Sequence, residues 1–137
     1  MLAVCNRLMP VTPGYHGCYL HVDLSARSAV SVPIAADVLR RFVGGSGLGT
    51  WLLLEQSPEA VWDPLGSSAP LAFVFSPLVG SPLTTSAKFA VVARSPLTGR
   101  INDSLASSHF ALSGKRTGHD ALLITGRAET PTTLVIE

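Results

Sequence analysis

With 137 residues, the chain has the size of one domain and can bury roughly two-thirds of the surface it would expose unfolded. Only 14% of its residues are charged although 47% are hydrophobic, where about 25% charged is usual for soluble domains. Ten Lys and Arg against nine Asp and Glu leave a net charge of +1, which excludes a generally basic nucleic-acid binder and an acidic solvating tail.

Met1 to Pro13 has no sustained period and reads as a loose leader. Arg7 interrupts it and it holds no apolar run of signal-peptide length, so the default expectation is a cytoplasmic protein. From Cys18 to Leu24, Leu20, Val22 and Leu24 alternate with Tyr19, His21 and Asp23, the period of a half-buried strand. Ser25 to Ser28 reads as a turn. Ala29 to Pro33 returns as a second strand, giving a hairpin whose polar face carries His21 and Asp23. Val38, Leu39 and Phe42 have helical spacing within Ala35 to Phe42, Gly44-Gly45 ends that helix, and a second follows over Leu48 to Glu55.

Ser57 to Ala69 reads as an exposed loop. Leu71 to Phe75 is apolar on both faces, the pattern of a central strand. The stretch from Pro64 to Ala87 has no ionisable group, but Pro64, Pro70, Pro77 and Pro82 exclude a membrane span. Lys88 to Ala93 is expected as a strand closed by the turn Ser95 to Gly99. Ser107 or Ser108 caps a helix reaching about Arg116. Ala121 to Thr125 and Thr133 to Ile136 finish as strands. The ensemble is α+β with a mixed or antiparallel sheet and a few short helices. A strand ending at the last residue would leave a sheet edge open, so the chain is expected to be cut or partnered.

The chemistry-bearing motifs leave several readings open. Gly44-Gly45-Ser46-Gly47-Leu48-Gly49 lacks a Walker lysine and the register of a dinucleotide loop, so a tight helix–helix turn ranks first and an anion-binding loop second. His16, Cys18 and His21 do not converge on a strand, because the first two share one face and His21 takes the other. Cys5 and Cys18 are expected as thiols rather than a bridge, and Glu55 and Glu59 as solvated carboxylates. Between Lys88 and Arg116, Lys88, Arg94, Arg100, Lys115 and Arg116 face Asp103 alone among serines and threonines. Either this is an anion footprint or the cations solvate one face.

In order along the chain, Gly14-Tyr15-x-Gly17-x-x-Leu20-x-Val22-Asp23-Leu24 and Phe42-Val43-Gly44-Gly45-Ser46-Gly47-Leu48-Gly49 resemble the opening of aldehyde ferredoxin oxidoreductases. Asp63-Pro64-Leu65, Ser76-Pro77-Leu78-Val79-Gly80, Ser95-Pro96-Leu97-Thr98-Gly99 and the run from Gly118 to Glu129 look like later parts of that family's N-terminal domain. The resemblance implies that 14–137 is a partial, pterin-seating N-terminal domain of a tungsten or molybdenum bis-pterin enzyme. Such an enzyme oxidises aldehydes with ferredoxin as acceptor, and the cofactor carries the redox chemistry. It implies a cofactor-binding set of Lys88, Leu105, Ala106, Ser107 and Ser108. Lys88 stands where the family has a pterin-contacting arginine, keeping the charge and losing the fork. Leu105, commonly Asn in relatives, would offer its backbone carbonyl to the magnesium between pterin phosphates. Ser107 replaces a glycine, and Ser46 an arginine of the glycine loop. No residue here corresponds to a catalytic group or a 4Fe–4S ligand, so the remainder of the enzyme, a downstream polypeptide, is the implied partner, with ferredoxin for the complete enzyme and neither nucleic acid nor membrane. A non-catalytic remnant or binding module that kept the fold is the alternative.

Overall fold

A computed structural model of the chain describes residues 13–57 and 62–136. The leader reading of the first residues, Cys5 and Glu59 lie outside them. The elements in chain order are β1 (Cys18–Asp23), β2 (Ser28–Pro33), α1 (Ala36–Phe42), α2 (Gly45–Gln56), β3 (Leu71–Phe75), β4 (Lys88–Arg94), β5 (Ile101–Ser107), α3 (His109–Arg116) and β6 (Ala121–Thr125). The strands form one six-stranded sheet in the order β2-β1-β6-β3-β4-β5. Among the described residues only β1 and β6 pair in parallel. The α+β class, the mixed sheet and the interior place of β3 agree with the sequence pattern.

The register assigns the faces. Tyr19 opposes Ala121, Ala121 opposes Val74, Val74 opposes Ala90 and Ala90 opposes Leu105, so these five residues share one face. Helices α1 and α2 cover that face with Leu39, Leu48, Leu52 and Leu53, all buried together with Tyr19, Val74 and Ala90. Full burial of one such leucine contributes about 1.5–3 kcal/mol. Gly49 sets how closely α2 approaches, since a Cβ there would collide with the Val92 side chain. The hairpin face that reads as polar, with His21 and Asp23, therefore begins with a core tyrosine and lies on the helix side. Its alternate residues, Leu20 and Val22, are half-buried on the other face.

That other face meets α3. Phe110 brings its ring centroid to 5.6, 6.0 and 5.0 Å from those of Phe73, Phe75 and Phe89. The helix starts at Ser108, whose hydroxyl accepts from the Phe110 N–H at 3.1 Å, which decides between the two candidate caps. Gly114 lets α3 lie directly on Phe75, where a Cβ would strike the ring.

Two strand assignments change. Ile101–Ser107 is a strand that the polar sequence hides. The turn after β4, with Ser95 N–H to Arg100 O and Gly99 N–H to Ser95 O both at 2.8 Å, folds it back into full register from Arg94↔Ile101 to Lys88↔Ser107. Thr133 to Ile136, by contrast, is not a strand: its β-branched residues find no neighbouring strand among the described residues and are mostly exposed. Among the described residues no helix is long and apolar enough to cross a membrane.

Candidate functional site

The turn between the helices is Val43-Gly44 alone, and Gly45 to Gly49 of the glycine cluster form the start of α2, which the sequence pattern places at Leu48. Val43 caps α1 by donating its N–H to Leu39 O at 2.9 Å, and α2 begins two residues later. A Cβ at Gly47 would lie 2.7 Å from Phe42 O, so only glycine lets the two helices turn so tightly. Ser46 at the start of α2 donates to Asp103 Oδ2 at 2.6 Å, so the carboxylate beside this helix terminus comes from β5 itself.

Beyond this turn, β4 and β5 complete a groove of about 270 Å³. Its lining includes Val43, Gly44, Pro77, Lys88, Ala90 and Leu105. Complete small-molecule pockets run roughly 300–1,000 Å³, so this is the size of one wall of a site. Lys88, Leu105 and Ser107 lie on the same face, because Lys88 opposes Ser107 and Ala90 opposes Leu105. Lys88 Nζ donates to Ser107 Oγ at 2.9 Å. Ala106 does not join them: it opposes Phe89 on the α3 face. The Ser108 hydroxyl is occupied as the cap of α3, and its N–H donates to Ala87 O at 3.2 Å.

The ladder also orients the backbone. Ser108 N–H to Ala87 O and Ser95 N–H to Arg100 O mark the hydrogen-bonded pairs of the antiparallel β4–β5 ladder. The alternation then turns the carbonyls of Asp103, Leu105 and Ser107 away from β4, off the outer edge of the sheet. Leu105 is exposed as well, at 67% of its full surface.

The wider cationic segment does not act as one footprint. Arg94 donates to Gly99 O at 2.7 Å and Trp62 O at 2.5 Å and stacks over the Trp62 ring. Lys115 is buried against Asp120 at 2.5 Å. Of the segment's cations, Lys88 is the one that lines the groove. Among the described residues no three of His, Cys, Asp and Glu are grouped to hold a metal ion.

Behind the groove lies a polar cluster that sequence patterning misses. Asp120, 1% exposed, accepts from the N–H groups of His16 (3.0 Å) and Gly17 (2.7 Å) as well as from Lys115. It thereby fastens the segment before β1 to the start of β6. Tyr15, in that segment, carries Lys115 Nζ 5.7 Å from its ring centroid and donates its hydroxyl to Val43 O at 2.6 Å. The available signal was a carboxylate placed directly before the apolar run of β6, where an unpaired charge would be expensive.

His119, beside it, is 2% exposed and lies 3.2 Å from both Thr117 Oγ1 and Ser31 Oγ. Burial holds its ionisation below the usual histidine value of 6.5. The unfolded chain therefore binds the extra proton first, and stability falls as pH drops from about 6.5 toward the lower folded value, then levels off for this group. Urea denaturation between pH 7.5 and 5 should show a steeper loss for the wild type than for His119→Gln.

Comparison with known proteins carries the geometry to a family. The family profile described as aldehyde ferredoxin oxidoreductase, N-terminal domain, matches residues 19–137. The chain is 36% identical over 125 residues to the aliphatic sulfonate oxidoreductase, WOR-like subunit, of Pyrococcus furiosus, covering 89% of this chain and 20% of that protein. It is 31% identical over 124 residues to the tungsten-containing aldehyde ferredoxin oxidoreductase of the same organism, covering 90% of this chain and again 20% of the relative. It thus spans about a fifth of the length of the curated relatives it matches. Among solved structures it is similar to the active site complex BamBC of benzoyl coenzyme A reductase in complex with 1,5 dienoyl-CoA. That likeness has a TM-score of 0.78 and 26% identity, and covers 85% of this chain and 18% of that one. With a matching profile over nearly its whole length and a six-stranded mixed sheet to go with it, the chain belongs to the aldehyde ferredoxin oxidoreductase family and carries that family's N-terminal domain fold.

Proposed function

We propose that this chain seats an anionic pterin of a tungsten or molybdenum bis-pterin oxidoreductase, as one part of a longer enzyme that oxidises aldehydes to carboxylic acids with ferredoxin as acceptor. The observation that carries the reading is the convergence of Lys88, Leu105 and the Gly44-Gly45 turn on one groove. The residues fit such a group. Ala90, Pro77 and Leu105 give an apolar wall for a flat ring, and Lys88 supplies a cation at its rim for a phosphate. The Leu105 carbonyl, directed off the sheet edge, is a hard oxygen of the kind magnesium takes, and it would be one ligand of several. The bound cofactor would supply the two-electron redox chemistry. This chain's residues bind and orient it, while the ferredoxin contact, the 4Fe–4S ligands and the substrate pocket fall to the remainder of the enzyme.

The alternative, a non-catalytic module that kept the fold, is favoured by the Lys88–Ser107 hydrogen bond, which engages the groove's cation from a position where the family resemblance implies glycine. Titration with a pterin phosphomonoester separates the two. Cofactor seating predicts saturable binding that Lys88→Glu weakens tenfold or more, since a charge-assisted hydrogen bond contributes about 1.5–3 kcal/mol. Ser107→Gly, by releasing Lys88, should tighten it. Absence of binding in all three proteins, with no tungsten, molybdenum or pterin in the chain co-expressed with the remainder of the enzyme, would leave only the non-catalytic module.

A further inference from the structure

We infer that Tyr15 is a positioning residue for this groove, holding Val43 and the glycine turn in the shape that forms its wall. Its functional meaning rests on the groove being a pterin seat; its structural content does not.

Val43 has φ 61° and ψ −65°. The Gly44 N–H donates back to Phe42 O at 2.7 Å, closing a γ-turn of the rare positive-φ hand around it. A β-branched residue is strained in that conformation, and such outliers persist only where their surroundings over-determine them. Burial does not hold Val43, because it is 55% exposed on the groove's rim. Two hydrogen bonds do. Its N–H is tied to Leu39 O, and its carbonyl, turned outward by the γ-turn, accepts the Tyr15 hydroxyl at 2.6 Å.

Tyr15 is in turn fixed from several directions. Its ring packs on the helix-side core, Lys115 lies over it, and Asp120 holds the next two backbone N–H groups. The neighbouring backbone segments are in close contact. A Cβ at Gly14 would come within 2.9 Å of Pro77 O, and one at Gly44 within 3.1 Å of Pro77 Cδ, so the segments carrying Tyr15, Val43 and Pro77 are packed against one another. Both Val43 and Pro77 line the groove. Burial, with the Asp120 charge adding to it, pushes the phenol's ionisation above its usual 10, so the hydroxyl remains a donor through neutral pH.

The test is amide hydrogen exchange of the 137-residue chain, read at Gly44, for the wild type, Tyr15→Phe, Val43→Gly and the double variant. Tyr15→Phe should speed Gly44 exchange about tenfold, the loss expected for one hydrogen bond, while β3 and β6 amides change less. Glycine adopts the Val43 conformation without strain, so in the Val43→Gly background the same change should alter Gly44 exchange less than twofold. A merely structural role for Tyr15 would speed exchange in both backgrounds alike, and that result overturns the inference. So does an unchanged Gly44 in Tyr15→Phe. Should Tyr15→Phe not fold, a folded double variant supports the inference and an unfolded one overturns it. Binding of a pterin phosphomonoester is read in parallel. Weakening by Tyr15→Phe with recovery in the double variant supports both the inference and the pterin seat. If the wild type fails to bind and the chain co-expressed with the remainder of the enzyme holds no pterin, tungsten or molybdenum while the exchange pattern holds, the pterin reading falls and the role of Tyr15 at the turn stands.

Discussion

Replacing Asp120 by alanine should destabilise the fold by about 3–5 kcal/mol, the effect expected when one partner of a buried ion pair is removed and the other is left behind. The pair is nearly dry, with the Lys115 and Asp120 side chains 11% and 1% exposed. The carboxylate also satisfies the N–H groups of His16 and Gly17, which would then be left without their acceptor. Three pieces of chain would loosen together: the segment carrying Tyr15, the end of α3 with Lys115, and the entry to β6. Urea denaturation followed by circular dichroism gives the loss directly. Lys115→Met in the same background should recover part of it by removing the stranded ammonium, though not the two orphaned N–H groups. If Lys115→Met/Asp120→Ala is no more stable than Asp120→Ala, the ion pair is not the source of the effect.

Gly49→Ala should cost about 2–3 kcal/mol, the upper part of the range for overpacking a well-filled core. An alanine Cβ would collide with Val92 and sit 3.3 Å from Val74 Cγ2, so α2 would have to lift from β3 and β4. The clash is specific enough to be reversed. Val92→Ala makes room at the same spot, and the double variant should be more stable than the sum of the single effects by more than 1 kcal/mol, as residues in direct contact typically couple by about 0.5–3 kcal/mol. Strict additivity in the denaturation midpoints would refute this account of the glycine.

The sequence revealed the elements whose residues match their surroundings. Leu71 to Phe75 is apolar on both faces because it stands inside the sheet with helices on either side. The glycine cluster marks a close helix–helix junction, although most of it lies inside α2: Gly47 faces the Phe42 carbonyl at the end of α1 and Gly49 faces Val92 of the sheet. What remained hidden depends on contacts distant along the chain. Ile-Asn-Asp-Ser-Leu-Ala-Ser has no strand pattern, being an exposed edge whose form comes from β4 and the turn before it. Thr133 to Ile136 has the pattern but pairs with no strand among the described residues.

The same division applies to the groove. Lys88, Leu105 and Ser107 come from family resemblance and do share a face, but the placing of Ala106 behind that face follows only from register. Lys115 reads as a surface cation until Asp120, five residues on but across a turn, is seen to take it. Tyr15 and Val43, 28 residues apart, give no local sign of their hydrogen bond.

The position of β6 has a consequence for the order of events in folding. It lies between β1 and β3, so the chain up to residue 120 can make the β1–β2 hairpin and the β3–β4–β5 meander, with α1 and α2 packed on both, but lacks the strand that joins them into one sheet. Contacts this distant in sequence carry a large loop-closure cost, so pairing β6 with its neighbours sets the pace of folding. During synthesis the two halves must therefore wait, with Tyr19 and Val74 lacking the Ala121 that connects them, until the strand beginning at Ala121 emerges and closes the sheet. Substitutions in Ala121–Thr125 should consequently slow folding more than equally destabilising ones in β2, a difference that refolding kinetics would show.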